Sequence, residues 1–108
     1  MKVTKKSLIF AAALVALSGT AAAKYPERPI RMVVASAPGG GTDFTARAIN
    51  DKFSEYLGSA VVIDNRGGAG GLVGSQIVAE APADGYTLLQ IFTNFAFLPS
   101  LHKKMTFD

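Results

Sequence analysis

Two short apolar runs, each ending in a cluster of glycines that opens a helical pattern, constrain this chain more than any other feature. The first run, Ile30 to Ala35, leads through Ser36 into Ala37-Pro38-Gly39-Gly40-Gly41-Thr42-Asp43, and an amphipathic segment follows from Phe44 to Leu57. That order reads as strand, glycine loop, helix, with Thr42 or Asp43 as the N-cap. The consecutive glycines carry no Cβ, so a ligand can approach the backbone closely and positive φ is available. The first N–H groups of the helix have no intrahelical partner, and the macrodipole places partial positive charge there. Such a corner suits a carboxylate or a phosphate. The alternative is a flexible connection that binds nothing.

The pattern then repeats. Tyr25-Pro26-Glu27-Arg28-Pro29 is an extended lead-in, because each proline biases its predecessor away from helix. Helix one is expected from about Asp43 to Leu57, with Ile49, Phe53, Tyr56 and Leu57 on its apolar face. Arg47, Asp51, Lys52 and Glu55 cover the other face as a solvated set, with Arg47 and Asp51 spaced as an ion pair. Gly58 is placed to stop the helix. Ala60 to Asp64 is a second strand, Asn65-Arg66-Gly67-Gly68-Ala69-Gly70-Gly71 a second glycine loop, and Leu72 to Ala81 a second helix that buries Val73 and Ile77. Pro82 ends it, and Asp84-Gly85 makes a turn before the third strand, Tyr86 to Phe92. Thr93-Asn94 follows, then a segment from Phe95 to Leu101 with helical character up to Pro99. Short loops in β-α-β-α-β order predict a parallel sheet with helices on both faces. All three post-strand loops then open at one edge, where ligands bind in such folds.

Composition removes several function classes. No cysteine is present, which excludes disulfides and thiolate metal sites. His102 is the single histidine, and no His, Asp and Glu cluster has metal-ligand spacing, so neither a metal nor another cofactor is expected. The formal charge of +3 belongs to Lys2, Lys5 and Lys6. With Leu8 to Leu17 as a short apolar core and Ala21-Ala22-Ala23 as an A-x-A cleavage site, these lysines form a secretory signal peptide over residues 1–23. The run is short for a transmembrane span, so no membrane insertion is expected after cleavage behind Ala23. The remainder is neutral and has no basic, aromatic-interleaved patch, which argues against nucleic acid. Residues 24–108 are few for an α/β domain, and a fragment or truncated product is expected.

The familiar catalytic motifs are absent. G-x-G-x-x-G fails at Phe44 in the first loop and at Val73 in the second. No Gly-Lys pair exists for a P-loop, and Gly71 and Ser75 are wrongly spaced for a nucleophile elbow. Asp43 reads as a helix cap, Asp64 as a strand-end residue and Asp84 as a turn residue; none has a visible nucleophile partner. Arg66 could clamp a carboxylate, although a surface arginine tethering its own loop is the simpler reading.

Four ordered motifs carry a resemblance: Tyr25-Pro26-x-x-Pro29-Ile30-Arg31, Ala37 to Asp43, Val62-Ile63-Asp64-Asn65-Arg66-x-Gly68-Ala69-Gly70-Gly71, and Ala83-Asp84-Gly85-Tyr86-Thr87-Leu88. With Pro99-Ser100-Leu101 they resemble the Bug proteins, the extracytoplasmic solute receptors of tripartite tricarboxylate transporters. The resemblance implies an α/β, type II periplasmic-binding-protein-like lobe with a parallel βαβαβ sheet, incomplete in this chain. Residues 24–108 would be the N-terminal portion of the first of two lobes. It further implies a periplasmic location, no enzymatic activity, a small carboxylate ligand, and the membrane components of the transporter as partners. The ligand-binding residues it implies are Pro38, Gly40, Gly41, Thr42 and Asp43 after the first strand, and Thr93 and Asn94 after the third. Ser36, Gly67 and Phe95-Ala96-Phe97 depart from the family pattern, which usually has a bulky apolar residue, a proline and smaller polar residues there. Two other expectations stand beside this one: an exported α/β enzyme acting on an anionic substrate, and a non-functional truncated remnant.

Overall fold

Ile30–Val34 (β1) is the axis of the molecule, and its composition explains why. Ile30, Val33 and Val34 are fully buried and Met32 nearly so. Burying each such side chain contributes about 1.5–3 kcal/mol. In a computed structural model of the chain, residues 24–105 and 107 are described; the expected signal peptide lies outside them. The element order is β1, α1 (Gly41–Leu57), β2 (Val61–Asn65), a 3-10 turn at Ala69–Gly71, α2 (Leu72–Ala79), β3 (Thr87–Gln90), a 3-10 segment at Thr93–Phe97, and α3 (Leu98–Leu101). The sheet is parallel with β1 at its centre, in the order β2-β1-β3. Ile30 lies opposite Val61, and Met32 lies between Ile63 and Leu88.

Strand alternation puts the helices on opposite faces. Ile30, Met32 and Val34 share a core with Val61 and with Ala46 of α1, flanked by Phe53 and Leu57. On the other face Ala35, one residue beyond β1, meets Gly74 of α2.

Several expected details are corrected. Helix α1 begins at Gly41 with Gly40 as N-cap, so neither Thr42 nor Asp43 caps it. Asp43 sits in the first turn and accepts from the Gly39 N–H (2.9 Å), a tie that fixes the loop instead. The buried stripe of α1 runs through Thr42, Asp43 and Ala46 to Phe53 and Leu57, while Ile49 and Tyr56 face outward, Tyr56 at 88% exposure. The small Ala46 wins the sheet-facing position because it allows the helix to approach β1, which the larger Ile49 would not. Arg47 pairs with Asp43 and not with Asp51. In α2, which ends at Ala79, Gly74 and Ser75 are the buried residues and Val73 is exposed, because α2 lies close enough to β1 for only a glycine to fit. Helical structure also continues past Pro99, which sits in the first turn of α3 where its missing N–H costs nothing. Gly58, at φ 66°, ends α1 as expected.

The lead-in is held by the turn before β3. Tyr25 Oη donates to Gly85 O (2.6 Å), the Glu27 N–H donates to Tyr86 Oη (2.9 Å), and Arg28 pairs with Asp84 (2.9 Å). Arg28 also stacks over the Tyr86 ring, 4.2 Å from its centroid. Tyr25→Phe is expected to lower stability by about 1 kcal/mol, the ordinary worth of one hydrogen bond. A urea titration reads it, and an unchanged midpoint would show that the lead-in is held by ring packing alone.

Candidate functional site

The carboxyl ends of the three strands come together because the sheet is parallel. The chain leaves β1 toward β2 on one side, and β3 lies on the other, so the β1 and β3 ends flank a switch point in the topology. An open pocket of about 580 Å³ lies there. Ala35, Ser36, Ala37 and Gly40 line it from the first loop, and Phe92 and Asn94 from the end of β3. The second loop contributes Gly67, Gly68, Gly70 and Gly71. Gly40 and Gly71 are the residues that cap α1 and α2, so both helix N-termini border one cavity.

The loops hold their shape through specific contacts. Asp43, only 3% exposed, accepts from the Gly39 N–H (2.9 Å) and Arg47 Nε (3.0 Å) on Oδ2, and from Asn65 Nδ2 (2.9 Å) on Oδ1. Asn65 Nδ2 also reaches Ser36 O (3.3 Å), and Arg47 donates to Asn65 Oδ1 (3.3 Å). The Arg47 guanidinium first, then the Gly39 amide and Asn65, hold the Asp43 carboxyl at a pKa of about 2 against an ordinary 3.8, with burial opposing. Asp43 is therefore an ionised tether between the first glycine loop and the end of β2. Its N–H, like those of Gly41 and Thr42, belongs to the helical first turn with no intrahelical acceptor. Asn94 Nδ2 donates to Gly70 O (2.7 Å), and buried Leu98 packs beside the same glycine. Close approach makes Gly67 a tight point as well: a Cβ there would lie 3.0 Å from Ala37 N and from Ser36 C.

Of the residues expected to bind, Gly40 and Asn94 line the pocket. Pro38, Gly41 and Thr93 are exposed nearby in sequence. Thr42 is buried, and among the described residues its Oγ1 has no hydrogen-bond partner. Asp43 points its carboxylate inward to the tether. Sequence reasoning missed Asn65 and Ser36 as parts of this site, and it placed the second glycine loop at the same edge without naming its glycines as binding residues. The signal for the last was the repeated strand-to-glycine junction; nothing local marks Asn65.

The cations near these loops are already paired. Arg66 Nε binds Asp64 Oδ1 (2.9 Å), the loop-tethering role expected of it, and Arg31 Nε binds Asp64 Oδ2 (2.8 Å). Arg31 foremost, then Arg66, hold the Asp64 carboxyl below the usual carboxylate range. Among the described residues no group of three or more His, Asp or Glu side chains is arranged to hold a metal ion. The pocket offers backbone dipoles, one hydroxyl and one carboxamide, a set suited to binding a small anion by hydrogen bonds.

Residues 45–108 match the family described as the tripartite tricarboxylate transporter family receptor. The chain belongs to that family. BugT of Bordetella pertussis is 41% identical over 90 residues, covering 78% of this chain and 28% of BugT. The solved periplasmic binding protein BugD is 51% identical over 60% of this chain and 22% of its own, with a TM-score of 0.59. MatC from Rhodopseudomonas palustris, solved with bound malate, is 42% identical over the same shares, with a TM-score of 0.58. These chains confirm the Bug resemblance and the periplasmic-binding-protein type of lobe. The chain spans between about a fifth and a third of the length of the curated relatives it matches. The family is one of periplasmic solute receptors.

Proposed function

We propose that this receptor chain captures a small carboxylate at the pocket between its glycine loops, without turnover, and delivers it to the membrane components of a tripartite tricarboxylate transporter. The observation that carries the reading is the meeting of two helix N-caps, Gly40 and Gly71, at one pocket with no charged side chain in its lining. The N–H groups of Gly41, Thr42 and Asp43 supply donors to one carboxylate group, and Asn94 closes the opposite rim. Malate in MatC is a ligand of this chemical class. Residues 1–23 act as the signal peptide that places the chain in the periplasm, and residues 24–108 contribute the N-terminal portion of the first lobe.

A melt of the chain with a panel of small mono-, di- and tricarboxylates tests this. A ligand that binds only the folded state, present at a hundredfold excess over its Kd, adds about 2.7 kcal/mol. Stabilisation by at least one acid is expected. A flat response to every acid in the panel would remove the pocket as a carboxylate site.

A further inference from the structure

Asp43 is the acid in the first turn of α1, and its own N–H is among the donors offered to a carboxylate. Its side-chain carboxylate is joined to that amide through three bonds, so a ligand oxygen held by the N–H lies roughly 6 Å from it. The carboxylate also stands directly behind the pocket wall. Oδ2 accepts from the N–H of Gly39, the neighbour of the lining residue Gly40. Oδ1 shares Asn65 Nδ2 with the carbonyl oxygen of Ser36, another lining residue.

An ionised acid at a helix N-terminus draws on the same positive pole that an anionic ligand needs. It repels the ligand as well. At roughly 6 Å, one unit charge alters the affinity of another by about three- to tenfold across partly hydrated protein. The carboxylate that shapes the loop would therefore oppose the binding that the loop is shaped for.

Arg47 answers that charge. Its Nε donates to Asp43 Oδ2 at 3.0 Å, one helical turn on, and its Nη2 donates to Asn65 Oδ1 at 3.3 Å. The guanidinium is thus fixed on the two residues that back the wall. It lies outside the pocket lining, so its effect on a ligand runs through Asp43. Its side chain is more than half exposed while that of Asp43 is buried, so removing the cation leaves the anion in place.

Resting on the carboxylate reading above, we propose that Arg47 is a positioning residue of the anion site: it cancels the Asp43 charge behind the pocket wall and keeps the α1 N-terminus available to an anionic ligand. Asp43 supplies the shape of the loop, and Arg47 the neutrality that lets that shape hold an anion.

Isothermal titration of the full chain at neutral pH tests this, using L-malate and whichever acid of the panel above stabilises the chain most. Parent, Arg47→Gln and Arg47→Lys are compared in about 0.01 M and about 1 M NaCl, between which the screening length falls from about 30 Å to about 3 Å. Arg47→Gln keeps a hydrogen-bond donor and loses the charge. It is expected to bind about three- to tenfold more weakly than the parent at low salt, with most of that gap closing at high salt. Arg47→Lys, which keeps the charge, should recover most of the parent affinity at low salt. A loss in Arg47→Gln that is the same at both salt concentrations would overturn the proposal, because that is the behaviour of a merely structural arginine. Arg47→Lys binding as weakly as Arg47→Gln would overturn it too, as would an Arg47→Gln chain without a cooperative melt. Unchanged affinity in Arg47→Gln would overturn it and leave the carboxylate site standing. Binding of no acid by the parent, together with a flat response to the panel, would overturn both readings.

Discussion

Gly74→Val is expected to destabilise the protein by about 3 kcal/mol or more, the upper range for forcing extra carbon atoms into a packed core. A Cβ on Gly74 would lie 2.8 Å from Ala35 Cβ and 2.9 Å from Arg66 O, inside any tolerable contact. The position has helical backbone, so the cost is crowding and not φ strain. Even Gly74→Ala, which gains about 1 kcal/mol of helix propensity, is expected to be a net loss. At this size each kcal/mol moves the melting temperature by about 4–8 °C. Gly41→Ala is the control, since a Cβ there meets nothing within 4 Å and the residue lies in the first turn of α1. It should leave the melt unchanged or raise it slightly. A Gly74→Val chain that melts with the parent would show that α2 is not seated on β1. Because Gly71 caps the same helix at the pocket, a displaced α2 would also degrade the site.

Asp43→Ala is expected to lower the melting temperature by several degrees at neutral pH and to flatten its dependence on acid. The substitution takes away the acceptor of the Gly39 N–H, the shorter of the two bonds of Asn65 Nδ2, and the ion-pair partner of Arg47. Leaving such donors without acceptors is more damaging than the loss of the bonds themselves. The sign of the pH effect follows from the depressed carboxyl. Its pKa is about 2 when folded and 3.8 ordinarily, so the unfolded chain binds the proton first as pH falls. The stabilisation is full above pH 3.8 and is lost as pH drops toward 2. Asp64, depressed by Arg31, loses stabilisation in the acid range too, and it is present in both proteins. The difference between parent and Asp43→Ala across that window isolates the tether. Parallel acid curves for the two would show that the Asp43 carboxyl carries no special stabilisation.

Asp43 also shows where reading the sequence succeeds and where it stops. Its presence at the mouth of a helix was visible as a polar residue after a glycine run. Its role was not, because the partner Asn65 comes from elsewhere in the chain, 22 positions away. The order of elements and the parallel sheet were legible because apolar runs of strand length alternated with helical periodicity and glycine junctions. The faces of the helices were not. Ile49 and Tyr56 fit a 3.6-residue stripe as well as Ala46 does, yet the sheet accepts the alanine. Val73 lost its place to Gly74 for the same reason. Hydrophobicity ranks side chains by transfer from water, whereas a close helix-to-sheet approach ranks them by size.

The sequence by itself determined the βαβαβ order, the two glycine junctions and the family, since these rest on local pattern and motif spacing. Tertiary structure alone decided which residues of those converging loops line the pocket, that the Asp43 carboxylate faces inward, and that Ser36 lies on the pocket wall. Those facts depend on which strands become neighbours. Placing β1 between β2 and β3 brings together loops some thirty residues apart, and no local propensity encodes that distance.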